Sequence, residues 1–135
     1  MVIGIDFDGT CVTHDYPNIG KDIGAVPILK RLVDNGHKLI LNTMRSKKDP
    51  ACVRIEGNDY LTQAVEWFKE NEIPLYGVHK NPEQDYWTSS PKAYCDLYID
   101  DAGLGCPLRY DPKLSGGLFV DWVRVEEILE GMNLI

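Results

Sequence analysis

The sequence predicts an α/β fold in which helices cover both faces of a mostly parallel, doubly wound sheet, giving three layers. Two observations predict it. Short apolar runs, typical of strands buried on both faces, alternate with segments whose apolar residues recur at helical spacing. The length of 135 residues and the apolar content of 44% suit one ordinary domain, so we expect residues 1–135 to form a single domain.

Two strand-then-helix units fill the first half of the chain. The apolar run Val2–Ile5 predicts the first strand, and residues 38–43 (KLILNT) predict the second. A helix follows each strand; Gly36 is a natural stop for the first helix, and Asn58 or Asp59 suits the N-cap of the second. The apolar positions of the two helices are Val26, Leu29, Leu32 and Val33, then Leu61, Ala64, Val65 and Phe68.

The second half of the chain continues this alternation. Residues 75–78 predict a third strand, residues 96–99 a fourth, and residues 118–120 a short fifth. A helix over about residues 122–130 follows, with Asp121 as its N-cap. Strands that alternate with helices pair in parallel through right-handed crossovers, and sites in such sheets lie at the carboxyl ends of the strands.

Charge and hydropathy exclude several classes of protein. The net charge of −7, from 21 acidic and 14 basic side chains, disfavours bulk binding of nucleic acid or of anionic membranes, because an acidic surface repels both. No long apolar stretch predicts a membrane span, and no basic segment followed by an apolar one predicts a signal peptide. We therefore expect a cytoplasmic protein without membrane partners.

Acidic residues gather at one edge of the predicted sheet. Asp6 and Asp8 follow the first strand, and Asp100 and Asp101 follow the fourth. Carboxylates about 4 Å apart repel by roughly 4 kcal/mol per pair at an effective dielectric constant of about 20, so the ionised acids would not cluster without a cation. Because the ligands are hard oxygens with no set of Cys or His nearby, the sequence favours Mg²⁺ over zinc.

Four short motifs occur in order along the chain. D-x-D-G-T stands at residues 6–10 after an apolar strand, and LILNT is an apolar strand that ends in Thr43. Lys92 then precedes LYIDD, an apolar strand that ends in two acids. Together these motifs resemble those of the haloacid dehalogenase-like (HAD) hydrolase superfamily. The resemblance implies that superfamily's Rossmann-like, doubly wound sheet.

The resemblance implies a Mg²⁺-dependent phosphatase, a phosphomonoester hydrolase that forms an aspartyl-phosphate. Carried over to this chain, Asp6 is the nucleophile, while Asp8 protonates the leaving oxygen and later activates water. Lys92 neutralises the phosphoryl group and holds the nucleophile, and Thr43 donates its hydroxyl to a phosphoryl oxygen. Gly9 permits a tight turn with backbone N–H groups free for phosphate.

The same resemblance implies a set of metal ligands. They are the Asp6 carboxylate, the main-chain carbonyl of Asp8 and Asp100, with Asp101 orienting a water or the Lys92 ammonium. Which member of the Asp100–Asp101 pair binds the metal directly stays open.

The gaps between the motifs leave no room for a separate cap domain. Residues 11–38 hold a loop and one helix, and residues 44–91 hold one helix, one strand and two loops. The resemblance is therefore to capless members, whose open sites act on large substrates or are closed by a neighbouring subunit. We expect a phosphorylated small molecule or an exposed phosphate on a larger substrate, and either an open site or a homo-oligomer that covers it.

A basic loop follows the second predicted strand. Residues 44–57 carry four basic side chains against two acidic ones, and we expect this loop to attract phosphate-bearing substrate. The basic residues are Arg45, Lys47, Lys48 and Arg54. Arg45 is the strongest candidate for a substrate contact because it lies two residues beyond Thr43. An ordinary solvated loop is the alternative interpretation.

Two alternative functions stay open. The first is a nucleotide or polynucleotide-end phosphatase, since the net charge disfavours long nucleic acid but not mononucleotides. The second is a non-catalytic phosphate-binding or receiver-like signalling module, which also combines acids, Thr and Lys with Mg²⁺ on a doubly wound sheet. Receivers carry their phosphoacceptor after the third strand, whereas residues 75–78 here are followed by His79.

Overall fold

A four-stranded parallel sheet carries the fold, with the strand order β3-β2-β1-β4. The computed structural model describes residues 1–47 and 59–135. The predicted α/β class with a parallel sheet is confirmed. The strands are β1 (Val2–Ile5), β2 (Lys38–Leu41), β3 (Gly77–Val78) and β4 (Leu97–Ile99). The last three are shorter than predicted because the predicted ranges include flanking residues that do not pair in the ladder: Asn42 and Thr43, Leu75 and Tyr76, and Asp96.

The described residues form three α-helices, whose ends lie close to the predicted signals. They are α1 (Ala25–Asp34), α2 (Tyr60–Glu70) and α3 (Trp122–Gly131). The carboxylates of Asp59 and Asp121 accept hydrogen bonds from backbone N–H groups in the first turns of α2 and α3, as predicted for N-caps. None of the helices in the described ranges has the length and apolar content needed to span a bilayer.

The two faces of the sheet are covered differently. Ile3, Ile5 and Leu41 belong to one buried cluster together with residues of α1, α2 and α3. Ile40, whose side chain alternates to the opposite face, packs instead with Ala93. In the described part of the chain, one 3₁₀ turn, Gln84–Tyr86, is the regular structure on this second face. The prediction of helices on both faces is therefore wrong for the described residues, because an irregular segment makes the crossover from β3 to β4.

A short antiparallel hairpin precedes α3 and stands apart from the main sheet. It pairs β5 (Leu108–Arg109) with β6 (Phe119–Val120). The predicted fifth strand is thus β6, but it does not extend the parallel sheet. Residues 110–118 connect the two strands and include most of the polar segment 109–117. Val120 donates its N–H to the carbonyl oxygen of Gly9 at 2.9 Å, which ties the hairpin to the turn after β1.

The strand order sets the position of the candidate site. From β1, the chain adds β2 and β3 on one side, whereas β4 pairs with the other side of β1. In α/β sheets, ligands bind at the carboxyl ends of the strands where the strand order reverses. Ile5 pairs with Ile99, and the N–H of Asp6 donates to the Ile99 carbonyl oxygen at 3.0 Å. The residues after β1 and β4 therefore leave the sheet side by side.

Trp122 connects α3 to the turn that follows β1. Its side chain is 2% exposed, and its indole N–H donates to the carbonyl oxygen of Thr10 at 2.7 Å. A buried carbonyl that loses its donor keeps its desolvation cost without compensation. The indole thus stabilises the turn that carries the candidate site.

Trp122→Phe keeps an aromatic ring but removes this donor. We expect the free energy of unfolding to fall by about 1–3 kcal/mol because the Thr10 carbonyl would stay buried without a partner. Urea unfolding followed by circular dichroism measures the change. Val123→Ala, at the exposed neighbouring position of α3, is the matched control and should stay within about 0.5 kcal/mol of the wild type. Equal stability of the two variants would contradict the role given to the indole.

Candidate functional site

Three acidic side chains lie together at the carboxyl ends of β1 and β4. Asp6 follows β1, Asp100 and Asp101 follow β4, and one carboxylate oxygen from each lies within 4.8 Å of the others. We call these three residues the acidic cluster. Of the four acids named from the sequence for a metal site, the structure brings together the side chains of these three. The side chain of Asp8 has a different partner.

Thr10 joins the two halves of the acidic cluster. Its hydroxyl oxygen lies 3.0 Å from Asp6 Oδ2 and 3.3 Å from Asp101 Oδ1, and it accepts the backbone N–H of Asp101 at 3.0 Å. A hydroxyl has one hydrogen, so it can donate to one of these carboxylates at a time. Sequence analysis gave Thr10 no role, although it is the last residue of the D-x-D-G-T motif.

His14 is a second residue whose role the sequence analysis missed. Its Nε2 lies 2.8 Å from Asp101 Oδ2, and half of its side chain is exposed to solvent. Gly9 makes this approach possible: a Cβ there would lie 2.2 Å from His14 Nε2 and 2.6 Å from Asp101 Oδ2. No spacing in the sequence marks a loop histidine as the partner of an acid far along the chain.

The turn at Gly9 differs from the prediction in one respect. Gly9 takes φ of 81°, which a glycine adopts without strain. Its N–H, however, donates to the carbonyl oxygen of Val12 at 2.8 Å. The turn itself therefore uses the N–H of Gly9, so any backbone N–H groups available to phosphate belong to other residues of the turn, and a phosphate contact in this turn stays a prediction.

The carboxyl of Asp6 has a strongly raised pKa. Burial, which disfavours the charged form, is the largest cause, and the negative charges of Asp100 and Asp101 add to it. Hydrogen bonds from the Phe7 N–H and the Thr10 hydroxyl oppose the shift in part, and the pKa rises from 3.8 to about 7. Ionising Asp6 within the acidic cluster therefore carries an electrostatic cost.

The donor set of the acidic cluster fits a hard divalent cation. Its oxygens are carboxylates, which such cations prefer, and the group includes no sulfur ligand. A cation among these oxygens would offset both the repulsion between the carboxylates and the cost of ionising Asp6. The residues that are present therefore fit the metal predicted from the sequence, and they do not by themselves select Mg²⁺ among hard cations.

Arg45 pairs with Asp8 and is not presented to a substrate. Arg45 Nε and Nη2 donate to Asp8 Oδ2 and Oδ1, both at 2.7 Å. The Arg45 side chain is 1% exposed and that of Asp8 14% exposed. In this structure the side chain turns inward to a carboxylate, so the predicted contact of Arg45 with substrate stays a prediction that the geometry does not favour. The basic loop beyond residue 47, with Lys48 and Arg54, lies outside the described residues.

Thr43 and Lys92, the two residues predicted to contact phosphate, differ in their exposure to solvent. Thr43 is buried, and its hydroxyl accepts the backbone N–H of Arg45 at 3.1 Å, which leaves the hydroxyl hydrogen available. Lys92 is exposed, and its Nζ lies 5.4 Å from the centroid of the Tyr98 ring. None of the ion pairs found in residues 1–47 and 59–135 joins Lys92 to an acid of the site. Its phosphate contact remains a prediction.

A solved structure shares this fold. It is that of a conserved protein from Bacteroides thetaiotaomicron, with a TM-score of 0.72 and 32% sequence identity. The match covers 98% of this chain and 91% of that one. The chain belongs to the family of that conserved protein. No protein-family model and no curated protein matches the sequence.

The raised pKa of Asp6 predicts how the free energy of unfolding of this protein depends on pH. Because the folded pKa of about 7 exceeds the unfolded value of 3.8, the folded protein binds more protons across this interval. The free energy of unfolding of the metal-free protein should therefore fall as pH rises from about 4 to about 7. Asp6→Asn should remove this part of the slope.

Urea unfolding in EDTA at several pH values measures the slope for wild type and variant. Asp34→Asn, at the exposed end of α1, is the control and should keep the wild-type slope. An identical slope in wild type and Asp6→Asn would show that the Asp6 pKa is not raised.

Proposed function

We propose that this protein is a Mg²⁺-dependent phosphatase of the HAD type, which hydrolyses phosphomonoesters through an aspartyl-phosphate on Asp6. The observation that carries the proposal is the acidic cluster at the point where the strand order reverses, with the D-x-D-G-T motif supplying its first member. The parallel sheet, whose strand order reverses at β1, supports a HAD-like topology in which an irregular segment stands in place of a helix on the second face.

The metal site would be formed by the acidic cluster together with the main-chain carbonyl of Asp8. Asp6 and one or both of Asp100 and Asp101 would supply carboxylate oxygens. Bound Mg²⁺ would neutralise the cluster and stabilise negative charge on the transferring phosphoryl group. Thr10 would keep Asp6 and Asp101 in place, because its hydroxyl contacts both.

The reaction would proceed in two displacements at phosphorus. In the first, a carboxylate oxygen of Asp6 forms a bond to phosphorus while the ester oxygen leaves with a proton from Asp8. In the second, Asp8 takes a proton from water as the water oxygen attacks the aspartyl-phosphate, which releases phosphate and regenerates Asp6. Thr43 would donate its hydroxyl to a phosphoryl oxygen, and Lys92 would have to approach from its position over Tyr98.

Asp6→Asn tests the nucleophile. We expect kcat for p-nitrophenyl phosphate to fall by roughly 10³-fold or more, because the amide lacks the attacking carboxylate. EDTA should abolish wild-type turnover, and excess Mg²⁺ should restore it. Asp15→Asn, an exposed acid of the loop after the motif, is the matched control and should keep turnover. Full activity in Asp6→Asn would overturn the assignment of Asp6 as the nucleophile. Undiminished activity of the wild type in EDTA would overturn the requirement for a metal.

Asp8→Asn tests the proton donor and acceptor. The p-nitrophenolate group leaves with little protonation, so Asp6 should still be phosphorylated, whereas attack by water should slow by about 10²–10⁴-fold without its base. Mass spectrometry of the acid-quenched protein should show one added phosphoryl group. The Asp6→Asn/Asp8→Asn double variant is the control and should show none. Wild-type turnover in Asp8→Asn would contradict its role.

A further inference from the structure

Arg45 uses every hydrogen-bond donor of its guanidinium within the protein. Two N–H groups reach the two carboxylate oxygens of Asp8. The others donate to the carbonyl oxygens of Pro17 at 3.2 Å, Asn18 at 2.7 Å and Tyr60 at 3.4 Å. A guanidinium has five N–H donors, so none is left for an anionic ligand. A phosphate could bind Arg45 only by displacing Asp8 or these carbonyls.

The pairing with Arg45 restricts how Asp8 can move. Two parallel hydrogen bonds hold the carboxylate in the plane of the guanidinium, which a single-point contact would not do. Each carboxylate oxygen has a second lone pair, so Asp8 keeps positions that can give or take a proton. The pair therefore sets the direction of those positions without blocking them.

Arg45 is itself held by the elements around the site. Its backbone N–H donates to the Thr43 hydroxyl, and its carbonyl oxygen lies 3.1 Å from His79 Nε2. Its guanidinium carbon lies 5.0 Å from the centroid of the Phe7 ring and 5.3 Å from that of Tyr16. The ends of β2 and β3, the loop after the motif and the start of α2 thus fix Arg45, and through it Asp8.

We infer that Arg45 is a positioning residue for proton transfer, which aligns Asp8 with the leaving oxygen and contacts no substrate. This inference rests on the proposed function and deepens it. The alignment matters in the step in which the ester oxygen departs. When the leaving group is poor, this oxygen needs the proton from Asp8 in order to leave. Loss of Arg45 should therefore lower kcat/KM most for the substrates with the poorest leaving groups.

The test compares two aryl phosphates of similar shape. Phenolate is a poorer leaving group than p-nitrophenolate, and kcat/KM reports the step in which each departs. For Arg45→Gln, we expect kcat/KM to fall by about 10²-fold on phenyl phosphate and by less than about 10-fold on p-nitrophenyl phosphate. Asp8→Asn should show the same asymmetry. Adding Arg45→Gln to Asp8→Asn should change kcat/KM little further, because both act in one step.

Two further variants keep the test decisive. Arg45→Lys retains the charge but not the planar pair of donors. Its kcat/KM should therefore also fall more on phenyl phosphate than on p-nitrophenyl phosphate, but by less than in Arg45→Gln. If Arg45→Gln does not fold, this variant tests the positioning role. Arg31→Gln is the matched control. It removes an arginine that pairs with Glu126 on α3, and it should leave both substrates unaffected.

The possible outcomes distinguish failure of the positioning role of Arg45 from failure of the proposed function. Equal losses on the two substrates in an active protein would overturn the positioning role and indicate a substrate contact or a purely structural effect. A rise in kcat/KM would also overturn it, since the pair would then inhibit Asp8. If the wild type hydrolyses neither ester in Mg²⁺, the proposed function fails, and the inference about Arg45 fails with it.

Discussion

The parallel pairing of β1 with β4 is the constraint on which the candidate site depends. The register of Ile5 with Ile99, continued by the hydrogen bond from Asp6 to Ile99, places the next residue of each strand at the same edge. Residues far apart in the chain therefore meet with no direct attraction between them; their carboxylates repel. The free energy that holds the acidic cluster together comes from the sheet, from the core beneath it and from the hydrogen bonds of Thr10, not from the carboxylates themselves.

Most of the fold was predictable because local chemistry specifies each element. Asp59 and Asp121 accept bonds from the first turns of their helices, and these caps need only a few neighbouring residues. β6 was predicted as a short strand, but its partner β5 gave no such signal, since β5 has two residues and no alternation. The covering of the second face was not predictable either. Strand alternation shows that a crossover is needed, but not that it will be helical.

The candidate site also has residues whose positions were predictable from the sequence and residues whose contacts were not. The positions of Asp6, Asp100 and Asp101 follow from where strands end, so sequence reasoning could place them. The partners of Arg45 could not be read in this way, because they include carbonyl oxygens of a loop and of the start of α2, which the tertiary structure brings together. The contact of His14 with Asp101 has the same origin.

The charges of the site explain why a cation and a buried arginine can serve one reaction. Four carboxylates gather near one edge, and the Arg45 guanidinium compensates Asp8 through direct bonds. The acidic cluster has no comparable partner in the described residues, apart from His14 beside Asp101. An anionic phosphate would be repelled by this arrangement, since like charges at short range cost free energy. A divalent cation in the cluster would offset most of its negative charge. A phosphate at Arg45 would instead leave Asp8 unpaired. The roles proposed for the acidic cluster, in binding a cation and through it a phosphate, and for the Arg45–Asp8 pair, in proton transfer, are therefore compatible. A phosphate bound at Arg45 with proton transfer in the acidic cluster would not fit these charges.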